Sequence, residues 1–551
     1  MKKLLFFILI GFSIQSWSQP VLTKYFIEFT DKGNTPYSLN TPSGFLSQKA
    51  IDRRATQAIS LDSTDLPVDP AYVAAVSATG ADVINRIKWF NGVIIETMDP
   101  QVLAAINSLP FVVQSAAVGR FARPRNYRDR DLKSNITFPV DNQFKISSFN
   151  YGLSANQIML HNGHVLHNLG LTGSGIIIAV MDAGFQSVDM LPAFDTLWQN
   201  NRIIAAVDFV NPGGNVYTEH QHGEMVLSIM GGYLDGELIG TAPEASYLLL
   251  RTEDANSELI IEEYNWAAAA QYADSAGADI LNTSLGYTTF DDTTMNHTYA
   301  SLDGNTNPIT IAADMAAAKG MLVVNSAGNE GNSSWNFISS AADGDSVLAV
   351  GAVDEFGNYV SFSGKGPTSD GRIKPNVVAQ GFQTVVASPG GGILQGNGTS
   401  FSGPVIAGLA ACLWQAHPGK TNMEIFNVIQ ESSSQFTSPD NLIGHGIPDF
   451  AVANTLLSGI VENLDLEQIV KIYPNPFTEY FAFDLYAVKE QNILINMFDA
   501  AGRQILSKIR KVYPYTLNEI RLYENLSFSN GLYIMQVQTK DKVYYQKIIK
   551  R

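Results

Sequence analysis

The run Asn397-Gly398-Thr399-Ser400-Phe401-Ser402-Gly403-Pro404-Val405-Ile406-Ala407-Gly408 places a serine among small residues, directly before an apolar stretch typical of a buried helix. Ser400 is therefore expected at a helix N-terminus, where free N–H groups and the helix dipole favour negative charge. A hydroxyl becomes an effective nucleophile when a base lies beside it and donors face the developing oxyanion. The rest of the fold must supply that base and those donors.

The region around this run, residues 149–458, alternates strands of buried type with helices. This alternation predicts an α/β fold, in which a parallel sheet is covered by helices on both faces and functional groups lie beyond the carboxyl ends of the strands. Strands are predicted at 175–181, 246–250, 280–285, 321–325 and 347–353, and helices at 224–231, 258–275 and 400–415.

Two residues are candidate partners of Ser400. Asp182 follows the first predicted strand directly, and His222 precedes Gly223 at the start of an apolar helix. A carboxylate at the carboxyl end of a strand can reach the start of a neighbouring helix, so Asp182 is expected to orient His222. In chain order the three residues read Asp182, His222, Ser400, which is the order found in subtilisin.

Six short blocks occur in the same order as in the subtilisin-like (subtilase) serine proteases, and the chain resembles that family over about three hundred residues. The match includes all three members of the catalytic triad. The blocks are Ala179–Gly184, His222-Gly223, Gly240–Pro243, Asn282–Gly286, Ser326–Gly331 and Gly398–Ser400.

The resemblance implies a role for each matched residue. Ser400 is the nucleophile, His222 is first the general base and then the acid, and Asp182 orients His222 and stabilises its imidazolium. Asn329 donates its side-chain amide to the oxyanion, together with the backbone N–H of Ser400. The residues expected to line the S1 cleft and to pair with the substrate backbone as an added strand are Ser284, Leu285, Gly286, Ala327 and Gly328.

Two residues beside the triad depart from the family pattern. Ala183 stands where the family more often has Ser or Thr, and Glu224 stands where it usually has Thr. Glu224 is expected to raise the pKa of His222 and to shift the pH optimum upward. These departures also leave a rival function, in which a weak or inactive subtilase scaffold acts as a surface binding or adhesion protein.

Glu330 follows the oxyanion asparagine and is expected near the mouth of S1. There it either favours Lys or Arg at P1 or is a solvated rim carboxylate. The arginines between Arg120 and Arg130 are expected to belong either to a solvated loop or to a protease-sensitive junction. If Glu330 favours a basic P1 residue, they become a candidate self-processing site.

Other readings of these residues are weaker. His220 and His222 suggest a zinc pair, but no third ligand or His-Glu-x-x-His spacing accompanies them. Ser400 with Asp440 and His445 follows the hydrolase order, but Gly-x-Ser-x-Gly is absent around Ser400. Cys412, the single cysteine, lies in an apolar helix and is expected to be a packed core thiol.

Residues 1–18 have the pattern of a signal peptide: two lysines, a short apolar run and a small-x-small end. The alternative is a buried strand or helix. Residues 19–120 follow the β-α-β-β-α-β order of ferredoxin-like folds and resemble the inhibitory propeptides of the family. Residues 121–148 are predicted to be a linker or processing region.

Residues 463–551 are predicted to form an all-β sandwich. They resemble the type A sorting domains of the type IX secretion system through Tyr473-Pro474-Asn475-Pro476, Gly531-Leu532-Tyr533 and Lys547. The resemblance implies that the protein is secreted by a Gram-negative bacterium or attached to its outer surface, with the type IX machinery as a partner.

The composition and net charge of the chain disfavour two other classes, nucleic-acid-binding proteins and proteins with transmembrane helices. The 551 residues carry a formal net charge of −17, which disfavours a nucleic-acid partner, and no later stretch is long and apolar enough for a transmembrane helix. The substrates implied by the resemblance are proteins or peptides. The implied chemistry requires no cofactor, and no metal ligand is assigned. Calcium is a candidate for stabilising the fold, but the sequence shows no recognisable set of ligands for it.

Overall fold

The structure is a computed structural model that describes residues 22–33, 35–120, 149–458, 468–478, 480–487, 490–513, 516–523, 529–540 and 542–551. The predicted signal peptide and the predicted processing region 121–148 lie outside these residues. Within the part of the chain described, no helix combines the length and hydrophobicity needed to cross a membrane.

The N-terminal unit is a four-stranded antiparallel sheet with the strand order β2-β3-β1-β4, which is the ferredoxin-like order. Asp99 caps the last helix by accepting a hydrogen bond from the N–H of Gln101 (2.8 Å), as the Asp99-Pro100 pair predicts. The second helix was not predicted. The elements are β1 (Thr23–Phe29), α1 (Gln48–Thr56), α2 (Pro70–Ser77), β2 (Asp82–Ile87), β3 (Gly92–Thr97), α3 (Pro100–Asn107) and β4 (Val112–Arg120).

The central unit is built on a seven-stranded parallel sheet. Its strands and hairpins are β5 (Ile177–Asp182), β6 (Ile203–Asp208), β7 (Tyr233–Leu234), β8 (Leu238–Ile239), β9 (Ser246–Arg251), β10 (Ile280–Thr283), β11 (Leu322–Ser326), β12 (Val347–Val353), β13 (Val377–Gln380), β14 (Thr384–Ala387) and β15 (Ile393–Gly396). Its helices are α4 (Ala155–Met159), α5 (Gly163–Asn168), α6 (Asp195–Gln199), α7 (His222–Gly231), α8 (Ile261–Ala276), α9 (Pro308–Ala318), α10 (Thr399–Ala416), α11 (Asn422–Glu431) and α12 (Phe450–Ser458).

The order of the large sheet, β13-β12-β11-β10-β5-β9-β6, brings distant parts of the chain together. Strand β5 lies between β9 and β10, so the direction in which the chain adds strands reverses there. Ligand sites of parallel sheets lie at such a point, beyond the carboxyl ends of the strands. Asp182 ends β5, Ser284 follows β10 and Ser326 ends β11, so all three lie at this edge.

Helix α10 is the central helix of the core and contacts β10, β11, β12 and β13. Every residue from Thr399 to Trp414 is buried. Cys412 donates its thiol to the carbonyl oxygen of Thr241 (3.2 Å), and burial raises the pKa of this thiol far above its ordinary value. Cys412 is therefore the core thiol that the sequence predicts.

The N-terminal unit docks on α8 and α9. Phe26, Ile87, Trp89 and Val118 share one apolar cluster with the alanines of these helices. Polar bonds cross the same boundary, for example from Asn85 Nδ2 to the carbonyl oxygen of Phe209 (2.8 Å). The two units therefore share a continuous interface.

A buried group of charges lies within this interface, around Asp274 of α8. Its carboxylate pairs with Arg53, with Arg54 (2.9 Å) and with Lys88 (3.4 Å). Burial acts to raise the pKa of Asp274, but Arg53, Lys88 and Arg54 outweigh it and leave the pKa below its ordinary value. Asp274 is therefore a carboxylate that depends on cations from the N-terminal unit.

The C-terminal unit consists of two antiparallel sheets, β16-β17-β20 and β19-β18-β21-β22, around one apolar core. This is the predicted β-sandwich, with β16 and β19 in addition to the predicted strands. The strands are β16 (Gln468–Tyr473), β17 (Tyr480–Ala487), β18 (Gln491–Phe498), β19 (Gln504–Val512), β20 (Thr516–Tyr523), β21 (Gly531–Gln538) and β22 (Val543–Lys550).

Candidate active site

Asp182 and His222 are in direct contact. Nδ1 of His222 lies 2.8 Å from Oδ1 of Asp182, and the same oxygen accepts a hydrogen bond from the N–H of Ala183 (2.8 Å). The Asp182 side chain is fully buried, whereas that of His222 is 14% exposed. An ionised carboxylate only accepts hydrogen bonds, so the ring carries its proton on Nδ1 and leaves the lone pair of Nε2 for a second partner.

Glycine at position 223 allows this contact. A β-carbon there would lie 2.4 Å from the carbonyl oxygen of Gly184 and 2.8 Å from the β-carbon of Asp182. Real side chains do not tolerate such distances, so only glycine lets the first turn of α7 approach the end of β5 this closely. The His222-Gly223 pair is therefore a steric requirement for the contact between Asp182 and His222.

Ser400 lies in the first turn of α10, as predicted, and is 6% exposed. Its hydroxyl donates to the carbonyl oxygen of Ser284 (3.3 Å), and the hydroxyl of Ser284 donates to the carbonyl oxygen of Ser400 (2.9 Å). The ring of the next residue, Phe401, is 6.0 Å from the ring of His222. The start of α10 is thus held between β10 and the Asp182–His222 pair.

Asn329 is fixed by Thr399, a residue to which the sequence analysis gave no role. Oδ1 of Asn329 accepts hydrogen bonds from the N–H of Thr399 (2.8 Å) and from its hydroxyl (3.0 Å). The Thr399 hydroxyl oxygen also accepts from the N–H of Gly328 (3.1 Å). Because Oδ1 is engaged twice, the Nδ2 amide of Asn329 is the end left to donate toward a ligand.

The predicted cleft residues form two neighbouring walls, one after β10 and one after β11. The carbonyl oxygen of Leu285 accepts a hydrogen bond from Asn325 Nδ2 (3.2 Å), and Ala327 accepts from the N–H of Ser339 (3.1 Å). A β-carbon would lie 2.0 Å from the hydroxyl oxygen of Ser339 at Gly286, and 2.7 Å from it at Gly328. Both glycines thus make room for Ser339, which sequence reasoning also missed.

Glu330 follows Asn329 and is half-buried. Its carbonyl oxygen accepts hydrogen bonds from the N–H groups of Ser333 (2.9 Å) and Asn336 (3.1 Å), which close a turn beside Asn329. The preference of its carboxylate for a basic P1 residue stays a prediction.

The burial and charge state of Glu224 differ from what the sequence predicts. Its side chain is fully buried, and neither carboxyl oxygen has a hydrogen-bond partner among the residues described. Burial raises the pKa of Glu224 to about 9, so the group is neutral at pH 7. A neutral acid has no charge with which to raise the pKa of His222, and the expected upward shift of the pH optimum through that charge is therefore wrong.

The alternative groupings make local contacts. Nδ1 of His220 accepts a hydrogen bond from the backbone N–H of His222 (3.2 Å). Asp440 accepts from the N–H of Leu442 (2.8 Å), and His445 lies 3.4 Å from the carbonyl oxygen of Phe436. No three His, Cys, Asp or Glu side chains in the described ranges are arranged to hold a metal ion, so calcium has no assigned ligands.

Three known families match successive parts of the chain. Residues 24–135 match the peptidase S8 propeptide domain of Bacteroidota, residues 173–446 match the subtilase family, and residues 471–551 match a secretion system C-terminal sorting domain. The central match spans the edge of the sheet that carries Asp182, His222 and Ser400. The chain belongs to the subtilase family. Its sorting domain indicates that this subtilase is secreted and attached to the cell surface.

The curated relatives include a thermophilic serine proteinase and several subtilisins. The subtilase is 31% identical over 275 residues to the thermophilic serine proteinase of Bacillus sp. (strain AK1). The aligned residues cover 50% of this chain and 60% of the relative. It is 29% identical over 286 residues to subtilisin E of Bacillus subtilis (strain 168), covering 51% and 66%. Subtilisin BL of Lederbergia lenta is 29% identical over 282 residues, covering 51% and 91%. The chain thus spans about 60–66% of the length of the first two relatives.

Among solved structures, MycP1 from Mycobacterium smegmatis is similar at 23% identity and a TM-score of 0.42, covering 57% of the subtilase and 89% of that chain.

Proposed function

We propose that this subtilase is a secreted serine endopeptidase that hydrolyses peptide bonds of proteins through an acyl-enzyme on Ser400. The observation that carries the proposal is the 2.8 Å hydrogen bond that His222 Nδ1 donates to Asp182 Oδ1 beside the N-terminus of α10. It orients the ring so that Nε2 can take the proton of the Ser400 hydroxyl. This arrangement of acid, imidazole and hydroxyl is that of acyl-transfer enzymes.

The chemistry proceeds in two halves. Ser400 Oγ attacks the scissile carbonyl carbon while His222 Nε2 takes the hydroxyl proton, and His222 then returns it to the leaving amine. Water, activated by the same ring, hydrolyses the ester and restores Ser400. Asp182 stays ionised and stabilises the imidazolium at both stages.

The oxyanion formed in each half is stabilised by two donors. We assign these to Nδ2 of Asn329 and the backbone N–H of Ser400, at the positive end of the α10 dipole. The bonds from Thr399 to Oδ1 of Asn329 support this assignment, because they determine which end of the amide is left to donate. No cofactor takes part.

The proposal is tested with a fluorophosphonate probe, which forms a covalent bond with an activated serine. We expect the purified protein to be labelled, and Ser400→Ala and His222→Ala to lose labelling. The matched control is Ser402→Ala, which removes a serine two residues away whose hydroxyl donates to the carbonyl oxygen of Thr399 (3.0 Å) and which should remain labelled. Equal labelling of wild type and Ser400→Ala, or none of either, would reject the protease and favour the inactive binding scaffold.

We further propose that the C-terminal sandwich is the part recognised by the type IX secretion machinery. The match of residues 471–551 to a secretion system sorting domain supports this. Deletion of residues 463–551 should retain the protein inside the cell envelope while leaving Ser400 reactive. Export of the truncated chain at the wild-type level contradicts the proposal.

A further inference from the structure

The N-terminal unit carries an arm that its own core does not use. The arm is residues 42–66, which include α1 and lie between β1 and α2. Without it, the remaining elements read β1-α2-β2-β3-α3-β4, which is the complete ferredoxin-like order. Val73 and Val76 of α2 belong to the apolar core of this sheet, whereas the residues that α1 buries include Arg53 and Arg54. The buried charges of α1 therefore serve a contact other than this core.

The arm lies across the C-terminal ends of α8 and α9. Arg53 donates to the carbonyl oxygen of Asp274 in the last turn of α8 (3.3 Å) and to that of Lys319, the residue that follows α9 (3.2 Å). The N–H of Ser47 donates to the carbonyl oxygen of Ser275 (2.8 Å). The last carbonyl groups of a helix have no partner within it and carry the negative end of its dipole. Arg53 therefore supplies both the donors and the positive charge that the two helix ends favour.

The arm also contacts the segments that lead into three strands of the large sheet. Nζ of Lys49 lies 2.8 Å from Oδ2 of Asp279, which precedes β10, and donates to the carbonyl oxygen of Gly175 (2.9 Å), which precedes β5. Nε2 of Gln57 donates to the carbonyl oxygen of Gly320 (2.8 Å), which precedes β11. The arm therefore holds the amino ends of β5, β10 and β11.

The carboxyl ends of the same three strands carry proposed site residues. Asp182 ends β5, Ser284 follows β10, and Asn329 comes shortly after β11. A strand rises about 3.3 Å per residue, so the four to six residues of these strands separate the arm from the site by about 13–20 Å. The contacts of the arm are therefore remote from the cleft, and a substrate does not compete with them.

Ion pairs connect the arm to both helices. Arg54 pairs with Asp274 of α8 (2.9 Å) and with Asp65 of the arm itself (2.7 Å), and all three side chains are at most 3% exposed. In the opposite sense, Lys319 pairs with Asp62 and Asp65 at 3.1 Å. Loss of one partner from a buried charge pair across an interface mainly speeds dissociation. Intact pairs of this kind therefore make release of the arm slow.

We propose that the arm keeps the N-terminal unit on the protease as a noncovalent subunit after the chain is cut within residues 121–148, and that the protease works with this subunit bound. This inference rests on the proposed peptidase function. A propeptide that only blocks the cleft must leave before the enzyme works, whereas a unit held at the opposite edge of the sheet can stay.

The test uses the full chain with a recognition site for a sequence-specific protease inserted at each end of residues 121–148, so that cutting releases the segment between them. The cut protein is treated with the fluorophosphonate probe, which also prevents self-digestion, and is then passed over a size-exclusion column. We expect the labelled central unit to elute together with the N-terminal unit. Departure of the N-terminal unit from the labelled protein, or labelling that begins only after it has left, overturns the inference.

A double variant tests whether the arm is what retains the unit. Lys49→Met with Gln57→Ala removes the bonds to the amino ends of the strands at two half-buried side chains. The cut N-terminal unit should then dissociate about a hundredfold faster, roughly tenfold for each side chain. If the double variant does not fold, Gln57→Ala alone should give the tenfold effect.

A matched control uses the same unit and the same kinds of side chain. Arg86→Met with Gln114→Ala removes an exposed cation and an exposed amide and should leave the dissociation rate unchanged. Equal rates for wild type and Lys49→Met with Gln57→Ala would show that the arm does not retain the unit. Failure of the proposed function is distinct, because then neither the cut complex nor the central unit freed in the variant is labelled.

Discussion

Ser284 and Ser400 are joined by a reciprocal pair of hydrogen bonds, each hydroxyl donating to the other residue's carbonyl oxygen at 2.9 and 3.3 Å. The proposed nucleophile is thereby coupled to the wall against which the substrate strand pairs. A substrate that binds to the segment after β10 therefore also contacts the residue that orients the start of α10.

Replacing Ser284 by alanine removes the hydrogen bond to the carbonyl oxygen of Ser400 and leaves that oxygen unpaired in a buried site. We expect kcat to fall about fivefold, which corresponds to one hydrogen bond of about 1 kcal/mol, while KM changes less. Steady-state kinetics on a peptide substrate measures this. Ser438→Ala, at an exposed serine, serves as the control, and an unchanged kcat in Ser284→Ala would show that the pair is incidental.

Asn329 and Thr399 should act as one unit. Asn329→Leu is expected to lower kcat about 10²–10³-fold, the effect of removing the corresponding donor in subtilisin. Thr399→Val should lower it about tenfold, because the amide loses a bond that orients it. In the double variant the loss should equal that of Asn329→Leu alone. Fully multiplicative losses would mean that Thr399 acts independently of Asn329.

Glu224 should destabilise the protein increasingly as the pH rises. Its pKa is about 9 when folded and near 4.5 when unfolded, so between these values the unfolded chain has released a proton that the native state keeps. Stability therefore falls with rising pH across this window. In a Ser400→Ala background, which prevents self-digestion, Glu224→Gln should increase the free energy of unfolding at pH 8 by about 1–3 kcal/mol.

The gain from Glu224→Gln should shrink at pH 5, which is close to the unfolded pKa of 4.5, because the unfolded chain there begins to take up the proton that the native state keeps. Thermal unfolding of the two proteins at pH 5 and pH 8 measures the difference. A gain that is equal at the two pH values, or a loss at both, would mean that Glu224 is ionised or satisfied in the native state.

The charges around Asp274 should hold the N-terminal unit in place. Asp274→Asn leaves Arg53, Arg54 and Lys88 buried without their common carboxylate, which costs about 3–5 kcal/mol. We expect that, in Ser400→Ala protein cut at a protease site inserted into residues 121–148, the N-terminal unit co-elutes with the rest in wild type and separates in Asp274→Asn. Arg503→Gln, in an exposed ion pair of the C-terminal sandwich, should behave as wild type. Separation in both or in neither refutes this role.

Sequence patterns located those features whose position depends on the local chain. Ser400 and His222 were found because small residues before an apolar run indicate a helix start, and Asp182 because it ends a strand of buried type. Strand β6 was missed because it alternates half-buried and exposed residues in Ile203–Val207 at the edge of the sheet. Helix α2 was missed because its eight residues carry little periodic pattern.

The contacts that tune the site could not be predicted in the same way. Glu224 has the charge pattern of a surface residue, and only packing of α7 in three dimensions shows that it is buried. Thr399 binds Asn329, which lies 70 positions earlier in the chain. Ser339 occupies the space beside Gly286, which lies 53 positions earlier.

Cys412 is the only cysteine of the chain, and it is enclosed in the core with its thiol on the carbonyl oxygen of Thr241. A secreted protein meets oxidants and thiol–disulfide exchange enzymes, which react with accessible thiolates. Once folded, this chain presents no accessible thiolate to these oxidants and enzymes. Its maturation outside the cytoplasm therefore requires no oxidative folding catalyst, and its working life there does not depend on the redox state of its surroundings.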